Sequence, residues 1–179
     1  MSSCGKTPVI SFFLVLLSLP ILAQRVSEQE IGIQKLFIEA SGERLLGNFD
    51  KAIPLFEEVL KKDKTNHAAA YELARIYTAT NKDNEAVKSL KKAIANAPGN
   101  VWYQQFLADV FEKTGQFEEA AELYGELVKV YPSNDSYYFK WAFYLVKDNE
   151  IDKAIKAYDA LEKQKGINEE TIRRKHALN

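Results

Sequence analysis

The sequence predicts an all-α solenoid of four stacked helix–turn–helix units behind an apolar leader. Three observations predict it. Alanines recur 34 residues apart, at Ala52, Ala86, Ala120 and Ala154. Apolar residues within each period follow helical spacing. Polar breaks then divide each period into two runs. Self-similarity at a fixed period of this length marks a stack of supersecondary units, each burying its apolar stripe on a neighbour.

The leader comes first. Lys6 is the only charge before Arg25, and between them runs VISFFLVLLSLPILA. A weakly positive start, a short apolar run and a small residue before polar QRVSEQE make residues 1–23 a secretory signal, cut at Ala23–Gln24. Ser11, Ser18 and Pro20 break the run, which is short of the roughly 20 apolar residues of a membrane span. A retained anchor is the competing reading, and the sole route to a membrane. The expected location is exported: periplasmic or extracellular, with envelope association an option. Cys4 is the single cysteine and precedes the run. It leaves with the signal, so the mature chain relies on its core without disulfides.

Residues 24–32 are a lead-in, and the units follow at 33–66, 67–100, 101–134 and 135–168. The second shows the pattern best. From His67, HAAAYELARIYTAT sets Ala70, Leu73, Ala74 and Tyr77 on one stripe. After NKDN, a second run places Ala86, Leu90, Ala93 and Ile94 on one face, and Pro98–Gly99 stops it. Four residues after each repeating alanine stands a bulky apolar residue: Phe56, Leu90, Tyr124 and Tyr158. In the first unit Glu39 and Glu43 replace Leu73 and Tyr77, as solvated residues of a cap would. Pro54 falls inside that unit's second helix, near its start. The segment 169–179 begins with Asn168 as a helix cap and Glu169–Glu170 in the first turn. It reads equally as a capping helix or the start of a further repeat.

These units resemble the tetratricopeptide repeat family, whose pattern is W-x2-L-G-x2-Y, A-x3-F, P over 34 residues. The second unit reads Ala70-x2-Leu73-Ala74-x2-Tyr77, Ala86-x3-Leu90, Pro98. The third reads Gln104-x2-Leu107-Ala108-x2-Phe111, Ala120-x3-Tyr124, Pro132; the fourth has Tyr138, Trp141, Ala142, Leu145, Ala154, Tyr158 and Gly166. The resemblance, to an exported bacterial type, implies a right-handed α–α superhelix that binds a protein or peptide on its concave face. By that alignment the groove residues are Tyr71, Arg75 and Thr78; Trp102, Gln105, Asp109 and Glu112; and Phe139, Phe143, Val146 and Lys147. The places where the family's carboxylate clamp keeps lysines and asparagines hold Phe37, Ser41, Glu72, Trp102 and Phe106, so that specialised grip is not expected.

Aromatics crowd two first helices, VWYQQF and SYYFKWAFY. They read as core together with packing on a further unit, as docking anchors, or as platforms for sugars or bases.

Other chemistry finds little support. With a formal net charge of −1 there is no basic surplus for nucleic acid, and KKDK reads as a solvated helix end. His67 and His176 have no second histidine at i±4, so no metal is expected. No serine stands with a base and an acid, and no glycine-rich phosphate cradle occurs. Neither an enzymatic activity, a cofactor nor a small-molecule substrate is expected. Gly125, inside a helical run, costs about 1 kcal/mol relative to alanine. The leading function is a binding scaffold; the alternative is a spacer or assembly module of a larger envelope complex or longer repeat protein.

Overall fold

The computed structural model describes the backbone of residues 10–178 and the side chains from Glu28 to Leu178. The side chains of residues 1–23, the segment expected to be a secretory signal, lie outside the described residues, as does Cys4. Among the described residues there are nine helices and no strand: α1 (Ile10–Leu45), α2 (Phe49–Lys62), α3 (His67–Ala79), α4 (Asp83–Asn96), α5 (Val101–Thr114), α6 (Phe117–Val130), α7 (Asp135–Lys147), α8 (Ile151–Lys165) and α9 (Glu169–His176). No helix among them is long and apolar enough to cross a membrane. The all-α expectation agrees with this.

The chain divides into two units, Met1–Lys64 and Thr65–Asn179. In the first, α1 runs without a break through residues 24–32 into α2's partner helix. Ala40 is fully buried, and the Phe37 ring meets the Phe56 ring edge-on at 5.5 Å. Glu39 is exposed, whereas Glu43 is half-buried and accepts a 2.7 Å hydrogen bond from Asn48. The solvated-cap reading of Glu43 is therefore corrected: it ties down the α1–α2 turn. Pro54 lies within α2 on its exposed side and lacks the N–H that would bond the carbonyl four residues back.

The second unit alternates α3–α4, α5–α6 and α7–α8. Ala86, Ala120 and Ala154 are fully buried, as is Ala52 in the first unit. Two further 34-residue series give the helices their limits. Asn66, Asn100, Asn134 and Asn168 are N-caps, their side chains accepting from the backbone N–H of Ala69, Trp102, Ser136 and Thr171. Gly47, Asn81, Gly115 and Asn149 hold positive φ values of 78°, 56°, 75° and 62°. Each sends the chain from the first helix of a pair to the second. The N–H that follows closes on a carbonyl five residues back, as in Gln116 to Phe111 at 2.8 Å and Glu150 to Leu145 at 2.8 Å.

The α5–α8 core is aromatic. Tyr144 is fully buried and stacks on Tyr124 with centroids 5.6 Å apart, and Tyr124 meets Tyr137 at 6.0 Å. Gly125 lets Trp141 approach: a Cβ built on it would stand 3.3 Å from the indole Nε1. The glycine that weakens α6 locally is what admits a large ring from α7.

Candidate functional site

The second unit holds a cleft of about 520 Å³ between α5, α7 and α9, lined by Glu112, Ser136, Phe139, Lys140, Phe143 and Arg174. Helical spacing builds its floor. Ser136, Phe139, Lys140 and Phe143 follow i, i+3, i+4 and i+7 on α7, so they share one face. Phe139 and Phe143 are half-buried, their inner edges against Tyr158 at 6.0 Å and Tyr144 at 5.1 Å. Cations collar the rings: Arg174 lies 5.0 Å from the Phe139 centroid, and Lys140 and Lys147 lie 5.8 and 5.6 Å from that of Phe143. Such placements favour the cation through the ring quadrupole.

The opposite wall is acidic. Glu112 accepts a 2.7 Å hydrogen bond from the Tyr144 hydroxyl, joining α5 to α7. Burial, and then that bond to a carboxylate, raises the Tyr144 phenol pKa, so at neutral pH the ring stays a donor. Burial also pushes Tyr124 up to about 12. Asp109, one turn before Glu112, is raised by desolvation, partly offset by the Lys140 charge. The cleft thus sets a carboxylate edge on α5 against an apolar floor with an ammonium and guanidinium collar on α7 and α9. It can seat an apolar side chain and pair charges on either flank.

Of the residues expected in the groove, Glu112, Phe139 and Phe143 line this cleft and Lys147 stands over its floor. Others do different work. Tyr71 stacks on Tyr103 at 4.7 Å and meets Phe106 edge-on at 5.8 Å. Arg75 pairs with Glu72 at 3.2 Å, and the Thr78 hydroxyl donates to the Ala74 carbonyl at 2.9 Å. Gln105 and Val146 are half-buried, and Trp102 is 75% exposed at the first turn of α5. Ser136, Lys140 and Arg174 were not anticipated. Arg174 lies beyond the repeats, on α9. Lys140 could have been found, since it is one turn from both Phe139 and Phe143.

α9 is held mainly by polar ties. Buried Thr171 donates to Glu162 at 2.6 Å, and Lys175 reaches Glu162 at 2.7 Å and Asp159 at 2.9 Å. Among the expected histidines, His67 is exposed, but its Nδ1 lies 2.8 Å from the Tyr103 hydroxyl, joining α3 to α5.

A second cleft, of about 770 Å³, has Leu107, Phe111, Trp141 and Leu145 among its apolar lining and Glu118, Glu122, Lys91 and Lys156 among its charges.

A model described as tetratricopeptide repeat matches residues 44–110 and 84–142, together more than half of the chain. Over 96 residues the chain is 27% identical to ER membrane protein complex subunit 2-A of Xenopus laevis, a match covering 52% of this chain and 32% of that relative. The match thus spans about a third of the relative's length. Among solved structures, one of Naa15/Naa10 bound to HypK-THB aligns over 92% of this chain and 25% of its own, with TM-score 0.71 and 17% identity. YrrB, described as a TPR protein with an unusual peptide-binding site, aligns over 87% and 80%, with TM-score 0.60 and 16% identity. MamA of Desulfovibrio magneticus RS-1 aligns over 82% and 83%, with TM-score 0.59 and 14% identity. At these identities the structural likeness shows the fold alone.

Proposed function

Because the chain belongs to the tetratricopeptide repeat family, we propose that it is a protein-binding scaffold which holds a peptide or an extended segment of a partner in the α5–α7–α9 cleft. One observation carries this reading. Phe139 and Phe143 are half-buried on one face of α7 and open into a cleft ringed by charge, while Tyr137, Tyr138 and Tyr144 of the same helix are buried in the core. Half-covered aromatics in a pocket are the usual anchors of protein recognition. YrrB, a neighbour in fold, is named for a peptide-binding site, which supports the same use of the architecture. We propose no catalytic role.

The test is affinity capture from the native host with wild-type protein and the Phe139→Ala and Phe143→Ala variants. A partner retained by the wild type and lost from both variants, with far-UV circular dichroism unchanged, supports the reading. Equal capture by all three proteins rejects it.

The site of action we propose is extracytoplasmic, on the strength of the apolar leader at residues 1–23. Intact mass of the protein from its host checks this: a chain beginning at Gln24 supports export by cleavage, and one beginning at Met1 in the soluble cytosolic fraction rejects export. Service as an assembly module is a second reading, favoured by the frog relative, which is named as a complex subunit. Elution of the native protein at its monomer mass would count against it.

A further inference from the structure

α1 carries two apolar faces. One holds buried Ala40 and half-buried Phe37, whose ring meets Phe56 of α2. Successive residues turn by about 100°, so Ile31, Ile38 and Leu45 lie along the opposite side. Spaced seven apart, they drift only about 20° per step. They are 49%, 69% and 75% exposed. A single exposed isoleucine is ordinary, but an aligned row of three is the pattern of a helix with a partner on that side.

We infer that this face is a self-association surface, on which two copies of the chain pair their α1 helices antiparallel about a two-fold axis at Ile38. A two-fold contact must be self-complementary, and this register is. Ile38 meets Ile38 of the second copy, and Ile31 meets Leu45. Glu28 and Glu30 fall beyond the end of the second copy's α1, which stops at Leu45. Exposed Lys35 lies on the same flank as exposed Glu39 of the second copy and within a helical turn of it, and the two-fold axis makes that contact twice. Gly42, between Ile38 and Leu45, has open space about it and adds no side chain to hold the helices apart. In a parallel pairing the two-fold axis runs along the helices and puts Lys35 and Glu39 of the two copies on opposite edges of the seam, so that contact is not made.

Charge also argues against a bilayer as the occupant. Glu28, Glu30 and Glu39 are exposed along this helix against exposed Lys35, whereas anionic lipid surfaces attract basic helices. The seam is about 20 Å long, less than a standard interface provides. Association in the micromolar range is the expectation.

Cysteine cross-linking of the full chain, with Cys4→Ser as background and in mild detergent, tests the register. At tens of micromolar protein, on the order of the expected dissociation constant, Ile38→Cys should give a disulfide-linked dimer on mild oxidation. Ile31→Cys mixed with Leu45→Cys should cross-link, and Ile31→Cys alone should not. The Lys35→Cys and Glu39→Cys mixture repeats the test on the flank. All five sites are exposed, and far-UV circular dichroism checks that each variant is folded. Monomer throughout would overturn the inference. So would cross-links of Ile31→Cys and Leu45→Cys each with itself but not with each other, which would show parallel pairing. Binding to anionic vesicles that Ile38→Asp abolishes, without any cross-link, would also overturn it and assign the face to lipid.

Discussion

α5 and α7 occupy equivalent places in successive repeats but present different chemistry to the same side. Where α5 has Gln105, Asp109 and Glu112, α7 has Phe139, Phe143 and Val146, and Phe106 of α5 corresponds to Lys140. The inner faces of the two helices are alike: Tyr103 and Tyr137 are buried, as are Ala108 and Ala142. Stacking fixes the positions that touch the next helix and leaves the outward ones free to vary. An acidic strip and an apolar, cation-collared strip thus stand on one frame, tied by the bond from Tyr144 to Glu112.

Breaking that tie at its root should have the largest effect. Tyr144→Ala empties a fully buried aromatic site and should cost about 3–5 kcal/mol in denaturant unfolding, whereas Tyr144→Phe keeps the ring and should cost about 1 kcal/mol. Next comes the fit between α6 and α7. Gly125→Leu must displace the Trp141 indole, with a loss of about 1–3 kcal/mol and a shift in tryptophan emission. Giving α7 the chemistry of α5 by Phe143→Asp should cost only about 1–2 kcal/mol, because the ring is half-exposed. It should nevertheless abolish partner capture, and retained capture would show that the apolar strip is not the anchor.

The smallest effect concerns α9. The Glu162 carboxyl is held below its ordinary range, first by the bond from Lys175 and then by that from Thr171. A lowered folded-state pKa gives stability that is present above the unfolded value, about 4.3, and is lost as pH falls through the folded one. The helical signal of α9 should therefore persist at neutral pH and fade only in acid below the ordinary glutamate range. Glu162→Gln should flatten that acid transition, measured by NMR of α9 amides.

The repeat was legible because its alanines sit where two helices nearly touch, and any larger side chain there would force them apart. Equally regular series went unread. The capping asparagines at 66, 100 and 134 and the left-handed residues at 47, 81, 115 and 149 recur at the same interval, but glycine alternates with asparagine in the latter, which hides it from a search for identity. Phe139, Phe143 and Glu112 could be picked as groove residues from their places in the family's repeat. Tyr71 and Thr78 share that register, yet one packs on Tyr103 and the other bonds its own helix, and such local partners leave no periodic mark. Arg174 was out of reach because it comes from outside the repeats, on a helix whose docking depends on side-chain ties to α8.

Those ties give the cleft unequal walls in time. Ile172 of α9 is exposed, and the helix is anchored chiefly through Thr171, Lys175 and half-buried Leu178. Amide protons of α9 should exchange with solvent through local opening, well before those of α8, which buries Ala154, Ala157, Tyr158 and Leu161. Arg174 would move with that opening, and with it the guanidinium beside Phe139. A ligand that contacts it should slow hydrogen exchange in α9, because its contacts are lost whenever the helix opens.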